Sequence, residues 1–178
     1  MHEALKQEVF EANLELVRLG LVIGTWGNAS GFDRAKGLVV IKPSGVPYDV
    51  MRPEHMVVVD LEGAVVEGDL RQSSDTATHV ELYKHFDDVG GIVHTHSHFA
   101  TCWAQACRPI PCFGTTHADY FYGDVPLTEP MTADEIADGY ERNTGSVILR
   151  RFEHLDPLHH PGVLVANHGP FAWGKSPK

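Results

Sequence analysis

The chain has 178 residues, 43% of them hydrophobic and 21% charged, with a formal net charge of -10. That length suits a single domain with a real core, and an acidic chain without a basic stripe is not built to hold nucleic acid. No apolar run is long enough to cross a bilayer, the first residues lack the pattern of a signal peptide, and the three cysteines (Cys102, Cys107 and Cys112) form no CxxC pair. The expectation is one cytoplasmic domain over residues 1–178, with reduced thiols and neither a nucleic-acid nor a membrane partner.

In chain order, Leu5, Val9, Ala12, Leu16 and Leu19 recur at helical spacing, and Gly20 supplies the stop. The run Leu38–Ile41 predicts a buried strand between glycine-rich turns, one of them the small-residue loop "WGNASG". "HMVVVDLEGAVVEGD" predicts two antiparallel strands joined at Glu62–Gly63. "SSDTATHVELYKHF" predicts a helix capped by its serine and aspartate. "GGIVHTHS" predicts a strand and "FATCWAQAC" a helix. Thr132 and Glu135 form a capping box ahead of "EIADGYERN", and "SVILRRF" and "GVLVANHG" predict two more strands. Helices alternating with strands and hairpins predict an α/β fold, a layered α/β/α sandwich around a mixed sheet.

Twelve histidines raise the question of which carry chemistry. His94 and His96, two apart at a strand end, would share a face and chelate one transition metal. His168 follows another strand and offers a third nitrogen, leaving coordination positions open as a catalytic metal requires. Asp75 would complete the set as a further ligand or orient the others. His98, the pair His159–His160, and the lone His55, His79 and His85 suit a solvated surface or a core. "KPSG" (Lys42–Gly45) and "QSSD" (Gln72–Asp75) combine hydroxyls with backbone amides, the second at a helix start that favours anions. With "WGNASG", they predict a small phosphorylated substrate. In "GTTHADYFYG", Asp119 would be a general acid/base.

The stretches "GNASGFDR", "VIKPSGV", "MVVVDLEG", "VVEGDLRQSSDT", "GGIVHTHS", "GTTHADYFYGDVP" and "PGVLVANHGPFAWGK" resemble, in order and wording, the L-ribulose-5-phosphate 4-epimerase branch of the class II aldolase/adducin family. "HADYFYG" with "SSDT" marks that branch. The resemblance implies a three-layer α/β/α sandwich with a mixed, largely antiparallel sheet, and a homotetramer with active sites between neighbouring subunits. It makes His94, His96 and His168 the ligands of Zn2+, with Mn2+ or Co2+ as alternatives, and puts Asp75 at or near the metal. It gives Gly27, Asn28, Ser44, Gly45, Ser73 and Ser74 to the phosphosugar, makes Asp119 one of two acid/base groups, and places Lys42 and Glu141 along the same cleft. The implied reaction interconverts L-ribulose 5-phosphate and D-xylulose 5-phosphate by retro-aldol cleavage and re-addition at C3–C4. Members continue past "FAWGK" to a C-terminal tyrosine that serves as the second acid/base group. The expected domain, ending at Lys178, lacks that segment. The competing readings are a sugar-phosphate aldolase of the same family, a non-catalytic scaffold like the adducin head, and a metal-dependent hydrolase built on the HxH pair.

Overall fold

The computed structural model describes residues 2–178. Its first helix, α1 (Glu3–Arg18), buries Val9 and Leu16 as the spacing predicts. It ends in a Schellman motif: Leu21 N–H donates to Leu16 and Gly20 N–H to Val17, with Gly20 at φ +67°.

Seven strands follow: β1 (Asn28–Asp33), β2 (Leu38–Ile41), β3 (Val57–Asp60), β4 (Val65–Glu67), β5 (Gly91–His94), β6 (Gly162–Leu164) and β7 (Pro170–Gly174). They form one sheet in the order β4-β3-β2-β1-β5-β7-β6. Every ladder is antiparallel; among the described residues the one parallel contact is the isolated bridge of Leu127 with Leu164. The mixed sheet of the sequence reading thus shrinks to a single bridge. Hairpins and returning helices do the connecting, so no crossover need run two strands parallel.

The remaining helices are α2 (Thr76–His85), α3 (His98–Gln105), α4 (Thr115–Ala118), α5 (Ala133–Ala137) and α6 (Tyr140–Arg151). Successive residues of a strand face opposite sides. Val39, Val57 and Val59 therefore pack with Val80, Leu82, Val147 and Ile148 of α2 and α6, while Val40 and Val58 pack with Val9 of α1. A strand buried on both faces needs a continuous apolar run, which "LVVI" and "VVVD" supply.

Two local expectations are corrected. "WGNASG" is not simply a loop: from Asn28 onward it is β1, near the centre of the sheet, with Asn28, Ala29 and Ser30 at most 3% exposed. Small and polar side chains there leave room for α1, whose Asn13 reaches the backbone of Ala29. "SVILRRF" is not a strand but the second half of α6, where Thr144, Val147 and Ile148 repeat at helical spacing and face α2. Gly145 permits the approach, since a Cβ there would stand 2.8 Å from Glu81 Cβ. The expected capping box is present, with Glu135 N–H donating to Thr132 Oγ1 at 3.2 Å and Thr132 N–H to Glu135 Oε2 at 2.8 Å. No helix among the described residues is long and apolar enough to cross a membrane, and all three cysteines are free and exposed.

Candidate metal centre

Strand β5 ends at His94, and the chain runs on without regular structure through His96 before α3 begins. The two imidazoles are therefore set not by one regular strand but by a strand end and the segment after it. His168 lies in the β6–β7 turn, where Asn167 takes a left-handed φ of 64° and His168 N–H donates to Val165. The β5–β7 ladder, which pairs His94 with Phe171, brings the turn beside the strand end.

The three Nε2 atoms converge. His94 and His96 are 3.1 Å apart at Nε2, as are His96 and His168. His94 Nδ1 lies 3.0 Å from the carbonyl of Pro170, so Nδ1–H donates there and Nε2 presents its lone pair to the centre. Burial and the adjoining imidazoles push the pKa of His94 down to about 3. Burial and His96 also lower His168, against the opposing pull of Asp75. Neutral imidazoles are the form that binds a metal. Bonds of about 2.1 Å to one ion set adjacent nitrogens about 3 Å apart, so this trio fits a divalent transition metal. Among the described residues it is the cluster whose ligand atoms close to within 4.8 Å.

Asp75 stands at the N-cap position of α2 but caps nothing with its side chain. This corrects the expected cap. Its Oδ2 instead accepts from Asn28 Nδ2 at 2.6 Å, and the same amide donates to Ser73 Oγ at 3.2 Å. Ser73 N–H donates to the Lys42 carbonyl, and Ser44 N–H to that of Arg71, which ties the end of β2 to the start of α2. Lys42 is only 2% exposed; its ammonium donates to the carbonyls of Thr25 and Pro43 and sits 4.6 Å above the Tyr48 ring. Burial lowers its pKa. Gly27, at φ +82°, brings the backbone close to the centre, since a Cβ there would stand 3.2 Å from the His94 carbonyl.

One cavity of about 390 Å³ unites these groups. Gly27, Asn28, Lys42, Ser44, Gly45, Ser73, Ser74, Asp75, His94, His96, His168 and Glu141 all line it. Its size suits a small ligand. Asp119 does not join them: it follows α4 as an exposed residue outside the cavity of its own chain. Of the other histidines, His98, His85 and His159 are exposed, His55 and His160 half-buried, and His79 fully buried.

Sequence reasoning missed Tyr140, which opens α6 after Gly139 and lines the cavity with its ring 5.8 Å from that of His168. Burial, Asp75 and Glu141 raise its pKa. The only signal was its place beside Glu141. Trp26 was quoted merely as part of a loop, yet it lines the cavity, 6.0 Å from the His96 ring.

The family model described as "Class II Aldolase and Adducin N-terminal domain" matches residues 7–178. An L-fuculose 1-phosphate aldolase structure is 33% identical, with a TM-score of 0.80 over 97% of this chain and 76% of its own. YgbL of Klebsiella pneumoniae, named as a candidate aldolase/epimerase/decarboxylase, is 25% identical with a TM-score of 0.76, covering 99% of this chain and 81% of that one. The L-fuculose-1-phosphate aldolase of Thermus thermophilus, 24% identical, shares the fold with a TM-score of 0.73 over 98% of this chain and 82% of that one.

Proposed function

Because the chain belongs to the class II aldolase and adducin N-terminal domain family, we propose that it is a divalent-metal epimerase that interconverts L-ribulose 5-phosphate and D-xylulose 5-phosphate. The convergence of three imidazoles on a cavity walled by serine and glycine loops carries this reading. It favours an enzyme over a scaffold, which has no use for such a centre. His94, His96 and His168 hold the ion, zinc by preference with manganese or cobalt as alternatives. When bound, the ion supplies Lewis-acid stabilisation of the charge that develops on the sugar oxygens as C3–C4 breaks.

The chain's own residues do the rest. Ser44, Ser73 and Ser74, with the backbone at Gly27 and Gly45, anchor the phosphate, and the Lys42 ammonium supplies positive charge beneath it. Asn28 holds the Asp75 carboxylate at the centre, where it moves a proton or completes the ligand set. Asp119 acts as one of two acid/base groups of the site in a homotetramer. Helices on both faces of the sheet support a three-layer α/β/α sandwich, and we place this domain, residues 1–178, in the cytoplasm.

A second reading, a sugar-phosphate aldolase, draws on the 33% identical L-fuculose 1-phosphate aldolase. One coupled assay separates the two. Metal-dependent formation of D-xylulose 5-phosphate without release of glycolaldehyde phosphate supports the epimerase. Cleavage of L-fuculose 1-phosphate, with no epimerisation, supports the aldolase.

A further inference from the structure

Behind the cavity, a polar chain runs through the core. Tyr83, Ser30 and His79 are each 0% exposed. Tyr83 Oη lies 2.8 Å from Ser30 Oγ, which lies 2.7 Å from His79 Nδ1. Either hydroxyl can donate within this chain, so its direction is set at the His79 end. When Tyr83 O–H donates to Ser30, Ser30 O–H donates to His79 Nδ1. An imidazole that accepts at Nδ1 carries its proton on Nε2.

Two buried groups are left without a protein partner at this point, His79 Nε2 and Asn28 Oδ1. Asn28 Oδ1 can only accept, and His79 Nε2 complements it as a donor in the tautomer that accepts from Ser30 at Nδ1. Asn28 has spent both amide hydrogens, on Ser73 Oγ and on Asp75 Oδ2. A carboxylate 2.6 Å away allows only the amide nitrogen to face it, so Oδ1 must turn from Asp75. Asn28 and Ser30 are two apart on β1 and share a face; Asp75 and His79 are four apart at one side of α2. Asn28 touches Asp75 while Ser30 touches His79, so the two pairs are set opposite one another.

We propose that His79 is a positioning residue for the metal centre: its Nε2–H is joined to Asn28 Oδ1 through one buried water, completing a one-way hydrogen-bond chain from Tyr83 that aims the Asp75 carboxylate. The site is polar enough to hold such a water, with complementary groups on both sides. The inference rests on the metal reading of the centre but not on the identity of the sugar.

The test combines a measurement on the unaltered protein with two variants. Long-range 15N–1H NMR of the full chain is expected to show His79 as the Nε2–H tautomer with slow exchange; an Nδ1–H tautomer would overturn the chain. His79→Asn keeps an acceptor near Ser30 but loses the far donor, whereas His79→Gln keeps a donor at the far position. Titration with Co2+, followed by its visible absorption, should show affinity down about tenfold in His79→Asn and recovered in His79→Gln. Equal affinities in the two variants, or none lost in His79→Asn, would overturn it as well. Urea unfolding of both variants separates this from loss of packing, since a purely structural histidine would tie affinity to stability. If the unaltered protein binds no cobalt, the metal reading fails, while the tautomer still decides the chain.

Discussion

Asn13 offers a sharp test of how α1 supports the site. The β1–β2 ladder runs only from Ser30 to Asp33, so Ala29 has no β2 partner on that side. Asn13 takes the missing strand's place: Ala29 N–H donates to its Oδ1 at 2.9 Å, and its Nδ2 donates to the Ala29 carbonyl at 3.1 Å and to that of Val9 at 2.8 Å. Both Asn13 and Ala29 are 0% exposed. Asn13→Ala strands a backbone donor and a backbone acceptor inside the core, each at a cost of about 1–3 kcal/mol. The Val9 carbonyl keeps its helical partner and adds nothing. The expected loss is therefore about 2–6 kcal/mol, read from urea unfolding at one protein concentration with chelator present, with the slope unchanged. Because Asn28 precedes Ala29, metal affinity should fall too. A loss below about 1 kcal/mol would show that water or a shifted β2 satisfies Ala29, and the account of Asn13 as a surrogate strand would be wrong.

Three further outcomes are expected. His96→Ala should lower bound metal and turnover together, measured by metal analysis and the coupled assay; unchanged metal content would remove His96 from the ligand set. Asp119→Asn should lower turnover while metal stays bound, and a protein that lost its metal instead would have Asp119 in the wrong role. Acid should weaken the metal-free fold: burial holds both His79 and His94 down to about 3, against about 6.5 when unfolded. The unfolded chain thus binds more protons between those values. Stability present above pH 6.5 should then fall on acidification by up to about 1.4 kcal/mol per pH unit for each histidine, until about pH 3. Urea midpoints that stay level from pH 7 to 5 would contradict this.

The sequence by itself determined whatever depends on neighbours along the chain. Helix α1, the β3–β4 hairpin and the Thr132 capping box follow from local periodicity, turn residues and reciprocal caps, which need no distant partner. Many cavity-lining residues, though not Tyr140, were legible because they fall in short motifs at element ends, where the backbone leaves an ordered stack and side chains reach a cleft. Tertiary structure decided the rest. "SVILRRF" has both β-branched residues and a helical repeat, and only α2, close-packed at Gly145, selects the helix. "NASGFD" looks like a loop because its side chains are small, and it becomes a central strand only because α1 and α2 bury it from both sides. Asp75 gives up its cap because Asn28, 47 positions earlier, holds its carboxylate. No local pattern encodes the meeting of His94 and His96 with His168, for it depends on β5 pairing with β7, a contact between strands nearly eighty residues apart.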